Sequence, residues 1–295
     1  MAGIAAHRIP ESDRTNTAVW PDGAASLSNA AAAARTQESQ ECNPVLDLDE
    51  VLALYTEVFE AQQVQRRLSG ARRLKRGQLE VVAEIFPVQH FSGDFVCTFD
   101  QGDSTFIALG DVAGKGLTAA MWSTHVMSLV RTRSASLGEP SQIVSAINRD
   151  LCTVGSGVPI TTMFFAKLDW QQNELTYSNA GHFPPFITRE RGEIQRLSVG
   201  GPALGVIASS EFNQARVRLA PSDMFIGYSD GLIECRNCED EEFGIERLVF
   251  QAKQTSTLSA SRALFSIIAA AQDFAHGVER TDDLTLLVIS GASSR

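Results

Sequence analysis

Short apolar runs that begin or end at an aspartate constrain this chain more than any other feature. Phe106 to Leu109 runs into Gly110-Asp111, and Met224 to Tyr228 runs into Ser229-Asp230-Gly231. Asp94 opens the run Phe95 to Phe99, and Asp282-Asp283 opens Leu284 to Ile289. Runs of this length and composition, bounded by Gly, Asp and Ser, read as strands. Aspartates at strand ends can converge there as a group of carboxylates. Converging carboxylates repel and raise one another's pKa unless a cation neutralises them. Oxygen ligands without a Cys/His cluster suit a hard ion such as Mg²⁺ or Mn²⁺. The pattern predicts a carboxylate-built, two-metal hydrolytic site.

Residues 1–44 are rich in Ala, Ser, Asn, Thr and Gln with little apolar periodicity. Such a segment buries too little surface to order itself, so a disordered tail is expected. A helix is predicted from near Asp47, where Asp47-Leu48-Asp49-Glu50 fits a capping box and places acids at the positive helix start. Val51, Leu54, Val58, Ala61 and Leu68 keep a roughly 3.5-residue spacing, with Gln65 in one slot. Leu52, Tyr55 and Phe59 form a second stripe. The spacing predicts a short coiled-coil seam, for a second copy or a regulatory partner over residues 48–68, against the plainer reading of one face packed on its own domain. Arg66, Arg67, Arg72, Arg73, Lys75 and Arg76 then read as a basic linker, solvated or facing an acidic partner. On this reading residues 45–76 are a helical linker and residues 77–292 the main domain.

Within that domain strands are expected at 79–88, 95–99, 105–109, 161–169, 174–178, 184–188, 214–219, 223–228 and 284–289. Helical periods follow Gly116 and Pro140 and occupy 243–253 and 259–275. Strands joined by short turns, with helices grouped in two places, imply an α+β fold of antiparallel sheets covered by helices.

A net charge of −10 argues against nonspecific nucleic-acid binding, which needs a basic face. Cys42, Cys97, Cys152, Cys235 and Cys238 are scattered and odd in number, as suits a reducing cytosol. Cys235-Arg-Asn-Cys238 has zinc or redox spacing but no second pair, so a structural or incidental role is expected. No apolar run reaches the ~20 residues of a membrane span, and His7, Arg8, Glu11 and Asp13 interrupt any signal-peptide core. A cytoplasmic protein away from membranes is expected.

Taken in order, Ser92-Gly93-Asp94-Phe95, Gly110-Asp111-Val112-Ala113-Gly114-Lys115-Gly116, Asn179-Ala180-Gly181-His182, Ser229-Asp230-Gly231 and Asp282-Asp283-Leu284-Thr285 form a specific set. With Glu60 to Leu68, Gly201 to Val206 and Phe243 to Leu248, the chain resembles the metal-dependent PPM-type serine/threonine protein phosphatases. The likeness is to the SpoIIE-like bacterial branch that regulates sigma factors, and it runs from Glu57 to Ile289. It implies a four-layer αββα sandwich preceded by a coiled-coil-like helix, with two Mn²⁺ or Mg²⁺ ions at one edge of the sheets. It also implies hydrolysis of phosphoserine or phosphothreonine on a protein, with a STAS-type anti-sigma-factor antagonist as the expected substrate.

The same resemblance makes Asp111 the bridging ligand, helped by the Val112 carbonyl, and makes Asp94, Asp230 and Asp282 further ligands. Asp111 and Asp230 carry the catalytic expectation. Asp283, Asn179 and His182 stand behind the ligands. Asp283 equally reads as a strand cap, and His182 reads either as part of a structural turn or as the proton donor to the leaving serine oxygen. The family places a second Asp three residues beyond Asp94. Cys97 stands there, which puts metal affinity in question. Lys115 reads as a solvated lysine or a phosphate contact. No serine lies in a Gly-x-Ser-x-Gly elbow, so water is the expected nucleophile. Two other readings stay open: a catalytically weak phosphoprotein-binding module, or a small-phosphoester metallohydrolase.

Overall fold

The computed structural model describes residues 47–291. The expected tail, residues 1–44, lies outside the described residues, as does residue 292 at the expected domain end. The first element is the helix α1, Leu48–Ser69. Asp47 begins it, and its Oδ1 accepts the backbone N–H of Asp49 at 3.3 Å.

The strands are β1 (Arg73–Arg76), β2 (Leu79–Phe86), β3 (Phe95–Gln101), β4 (Ser104–Val112), β5 (Thr161–Asp169), β6 (Glu174–Ala180), β7 (Phe186–Thr188), β8 (Ile194–Arg196), β9 (Gly200–Gly201), β10 (Ala215–Arg218), β11 (Met224–Tyr228) and β12 (Leu284–Gly291). Between them lie the helices α2 (Gly116–Ser136), α3 (Pro140–Thr153), α4 (Asp230–Ile233), α5 (Gly244–Gln254) and α6 (Ala260–Ala275). One sheet runs β10-β6-β5-β4-β3, with β9 added to β6, and the other runs β1-β2-β12-β11-β7-β8. Apart from the short parallel β6–β9 pair, the ladders within both sheets are antiparallel.

Alternation along the strands builds three apolar layers. Ile107 and Leu109 of β4, Phe164 of β5, Phe225 of β11 and Leu287 of β12 meet between the sheets. Phe106, Ala108 and Phe165 face the other way and meet Val126, Met127, Ile143 and Ile147 of α2 and α3. Ile226 and Leu286 likewise turn outward to Leu248, Leu264 and Ile267 of α5 and α6. The result is helices, sheet, sheet, helices: the αββα sandwich. Phe164 and Phe225 join the sheets directly, with ring centroids 5.7 Å apart. Truncating either to Ala would cost about 3–5 kcal/mol in so closed a layer.

The basic stretch is not a free linker in its later part. Arg73–Arg76 forms the edge strand β1, paired antiparallel with β2. Three arginines of the basic stretch meet the domain's own acids. Arg72 pairs with Glu84 at 3.0 Å, Arg73 with the buried Glu80 at 2.7 Å, and Arg76 with Asp100. A charge count along the sequence does not reveal these partners, because they lie across a hairpin or in another strand.

Among the described residues the helix α1 is hydrogen-bonded to the domain near its end, and Tyr55 meets the His90 ring edge-on at 6.3 Å. Gln62 donates to the His90 carbonyl, and Gln65 to the Ser92 carbonyl at 2.8 Å and to Ser123 Oγ at 3.1 Å. Leu68 packs under α2. Upstream, Leu52, Leu54, Tyr55 and Phe59 remain 55–62% exposed. Packing on its own domain therefore does not account for the apolar stripes. Gln65, the polar slot of the seam, is a tether to the loop that carries Asp94.

Candidate metal centre

All five motifs meet at one end of the layer between the sheets. Strand parity puts them there: Asp111 and Thr162 continue the faces of Leu109 and Phe164, and Thr285 continues that of Leu287. Each strand thus passes from apolar to polar on the same face at the same end.

Backbone contacts draw the motifs together. Ser229 N–H donates to the Thr285 carbonyl at 3.1 Å, and Ser229 Oγ accepts the Thr285 N–H at 3.0 Å. Gly231 lies so close to the Asp282-Asp283 backbone that a Cβ there would fall 2.1 Å from the Asp283 carbonyl oxygen. On the other side, a Cβ on Gly93 would fall 3.0 Å from the Val112 carbonyl oxygen and 3.4 Å from Asp111 Oδ1. Both glycines therefore serve close approach. A side chain at either position would occupy the space beside the expected ligand oxygens.

Asp94 is buried, and its Oδ2 accepts the Thr285 hydroxyl across the gap between the sheets. Burial, opposed by that hydroxyl, raises its pKa well above the usual carboxylate range. Asp283 accepts the backbone N–H of Val88 at 2.8 Å and of Gly93 at 3.1 Å. It clasps the loop that delivers Asp94, which favours the capping role over direct ligation. Asp111 is half-buried; burial first, then the charges of Asp230, Asp282 and Asp283, push its pKa up to about 6. Asp230 begins α4 and is also raised, by burial and then by Asp282, with Lys115 pulling the other way. Asp282 Oδ2 lies 3.0 Å from Lys115 Nζ.

Among the described residues no three His, Cys, Asp or Glu side chains close on one point as a finished ion cage. The charges of Asp230 and Asp282 are nevertheless near enough to raise the pKa of Asp111, and that of Asp282 to raise the pKa of Asp230. Uncompensated like charges stand apart for the same reason that they attract a cation. The donor set is all oxygen, partly open to water and short of positive charge, so it fits a hard divalent ion. Asp111, Asp230, Asp282 and the Val112 carbonyl are the groups that would hold it, with Asp94 behind them.

Asn179 and His182 do not reach the carboxylates directly. The Asn179 side chain accepts from the His182 N–H at 2.8 Å and donates to the His182 carbonyl at 3.1 Å, which closes the turn. His182 Nδ1 lies 2.9 Å from the hydroxyl of Thr162, the cross-strand partner of Asp111. Burial lowers the His182 pKa to about 4, so the ring is neutral at pH 7. Its Nε2 is buried without a hydrogen-bond partner among the described residues. A neutral ring that is only 4% exposed is poorly suited to protonate a leaving group.

Cys97 belongs to the opposite face of β3, in the layer beneath α2. Burial pushes its thiol up to about 11, and it points to the Leu68 carbonyl. A side chain at position 97 faces away from the carboxylates, so the missing Asp does not bear on them in this fold. Thr162, Ser229 and Thr285 had no assigned role in the sequence. Only the pairing of strands reveals them as the polar rungs between the ligands.

A cleft of about 290 Å³ adjoins Asp282 and Gly231 and is lined further by Glu234, Arg236 and Arg280. A wider groove of about 740 Å³ runs between α3 and residues 208–213 and carries none of these carboxylates. Size alone does not mark the site; the chemistry does.

A family model described as Stage II sporulation protein E (SpoIIE) matches residues 101–291. Phosphoserine phosphatase RsbU of Bacillus subtilis (strain 168) is 29% identical over 241 residues, covering 79% of this chain and 70% of RsbU. Protein IcfG of Synechocystis sp. (strain ATCC 27184 / PCC 6803 / Kazusa) is 29% identical over 264 residues. That match covers 79% of this chain but 41% of IcfG, so the chain spans less than half of that relative. The solved SiaA-PP2C domain of Pseudomonas aeruginosa shares the fold, with a TM-score of 0.69 at 17% identity, covering 81% of this chain and 97% of that domain. The family match spans more than half of the chain and takes in Asp111, Asp230 and Asp282, and on that ground the chain belongs to the SpoIIE family of PPM-type phosphatase domains.

Proposed function

We propose that this chain hydrolyses phosphoserine or phosphothreonine on a protein, using two Mn²⁺ or Mg²⁺ ions held by Asp111, Asp230, Asp282 and the Val112 carbonyl. Three carboxylates from separate motifs, mutually charged and partly open to water at one end of the sandwich, carry this assignment. When bound, the ions supply an acidified water and neutralise the phosphoryl oxygens. The protein's own part is to hold and orient. Asp111 lies near the end of β4, Asp230 begins α4, and Asp282 lies two residues ahead of β12, so three elements of the fold present the three side chains. Asp94 adds a fourth carboxylate from the buried side. The cleft beside Asp282 gives room for the residues that flank the phosphoserine.

Branch membership and the RsbU likeness support a phosphorylated STAS-type anti-sigma-factor antagonist as the substrate and a cytoplasmic setting. Among the described residues no helix is long and apolar enough to cross a membrane. The exposed stripe of α1 then takes a second copy or a regulatory partner. Leu54→Asp tests that part: at a site 62% exposed it should leave the isolated fold intact while abolishing assembly or regulated turnover. Unchanged sedimentation and unchanged protein-substrate kinetics would reject it.

The activity itself is tested by incubating the purified chain with Mn²⁺ and either a phosphoserine protein or p-nitrophenyl phosphate. Release from the protein, abolished by chelator, is expected. Release from the small ester alone would make it a small-phosphoester metallohydrolase, and binding without release would make it a phosphoprotein-binding module.

A further inference from the structure

Lys115 is the one residue of the glycine-rich turn whose side chain enters the carboxylate group. Its Nζ lies 3.0 Å from Asp282 Oδ2 and donates to the Thr281 carbonyl at 2.7 Å. No other Lys or Arg nitrogen among the described residues lies within ion-pair distance of Asp111, Asp230 or Asp282. The turn that presents it is built for the purpose. Gly114 has φ +120° and Gly116 φ +69°, values that other residues rarely adopt, and Lys115 between them is extended at φ −136°. From this turn the ammonium reaches Thr281 and Asp282, just ahead of β12.

One ammonium against three carboxylates leaves the group anionic, so a divalent ion is still attracted. The ammonium and an ion repel each other and compete for the lone pairs of Asp282 Oδ2. The outcome of that competition follows from exposure. Lys115 is 63% exposed and Asp282 47%, and exposed pairs of this kind contribute little. A lysine stem has several rotatable bonds and three equivalent donors, so it leaves one anion for another readily.

We propose that Lys115 is the counter-ion of Asp282 in the metal-free site, which an incoming ion displaces and which then serves the phosphate dianion of the substrate. The first half concerns metal binding alone. The second half rests on the phosphatase reading above. Lys115 is a positioning residue in the first role and a substrate contact in the second.

The test uses the whole chain with Lys115→Gln and Lys115→Arg. Mn²⁺ binding is read by electron paramagnetic resonance and by calorimetry. Lys115→Gln should bind Mn²⁺ about fivefold more tightly than the parent at low salt, because no internal cation has to leave. Lys115→Arg should stay near the parent. The gap should narrow at ionic strengths of about 0.5 M, where exposed charges are screened. Equal or weaker Mn²⁺ binding by Lys115→Gln would overturn the counter-ion role.

With Mn²⁺ saturating, Lys115→Gln should raise the inhibition constant of inorganic phosphate and the KM of a phosphoserine protein by about tenfold, with kcat less affected. Unchanged phosphate inhibition beside tightened Mn²⁺ binding would overturn the substrate role and leave the counter-ion role standing. If the parent bound Mn²⁺ yet hydrolysed no phosphoester, the phosphatase reading would fail while the binding comparison kept its meaning.

Discussion

The polar end of the inter-sheet layer has two halves that differ in how their charges are satisfied. In one half Asp94 is buried and bonded by Thr285, Asp283 takes two backbone N–H groups, and His182 is neutral and packed behind Thr162. In the other half Asp111, Asp230 and Asp282 are partly open to water; Asp230 and Asp282 each accept the N–H of the next residue, and one ammonium, that of Lys115, lies within ion-pair distance of the group. Both halves are acidic, and both come from Gly-Asp, Asp-Gly or Asp-Asp motifs that look alike in the sequence. Bonds from distant parts of the chain fix Asp94 and Asp283 within the frame. A carboxylate left with like-charged neighbours is held in wait for a cation, and the frame keeps it there at a cost.

The largest effect expected from that contrast is on turnover. Asp111→Asn and Asp230→Asn should each lower kcat by about three orders of magnitude, ~4 kcal/mol of barrier. Asp283→Asn, in the satisfied half, should lower it far less. Steady-state kinetics with Mn²⁺ decide this, and comparable losses for all three would erase the distinction between the halves.

Next is the cost of waiting. The Asp111 pKa, raised to about 6, means that the folded chain holds a proton there more tightly than the unfolded chain does. Between pH ~4 and ~6 the native state therefore binds more protons, so this residue's contribution to stability falls as pH rises and stays low above pH 6. His182, lowered to about 4, works in the opposite direction over a similar range, with stability rising as pH rises. A mutant comparison separates them. In chelator at pH 7.5, Asp111→Asn should be more stable than the parent by about 2–3 kcal/mol, and the gap should close near pH 4. Urea denaturation at the two pH values measures it. A variant less stable than the parent at pH 7.5 would mean that Asp111 is not under repulsion.

A smaller effect is expected in the satisfied half. Thr285→Val keeps the shape but leaves the buried Asp94 oxygen unpaired, at a cost of ~1–3 kcal/mol in stability. This loss should be independent of Mn²⁺ at the outset, unlike any change at Asp111 or Asp282. The smallest is His182→Ala, with about a tenfold loss of kcat, ~1.4 kcal/mol, and no change in the shape of the pH profile from 5 to 8. Disappearance of a limb in that profile would restore the proton-donor role.

The sequence was legible where local rules suffice. The helix starting at Leu48, the turn at Gly114 and Gly116 and the strand at 161–169 all follow from caps, glycines and periodicity. Alternation also marks the aspartates as strand-end residues. It does not tell β1 from a linker, because a short edge strand of Arg and Lys has no apolar face to announce it. Nor does it tell Asp283 from Asp282, since both lie just ahead of β12 and only their partners in space, Val88 and Gly93 for one and Lys115 for the other, distinguish them.

The sequence by itself determined the kind of site: several carboxylates, no nucleophilic side chain, and strands that end together. The tertiary structure alone decided which carboxylates are bonded by distant parts of the frame and which are left partly open to water. Cys97 lies on the face turned to α2, so its identity drops out of the question. Lys115, read as a solvated side chain or a phosphate contact, lands on Asp282. The physical reason is range. Propensity and alternation act within a few residues, whereas hydrogen bonds and Coulomb forces act through space, and the partners of Asp94 and Asp282 are separated from them in the chain by 191 and 167 positions.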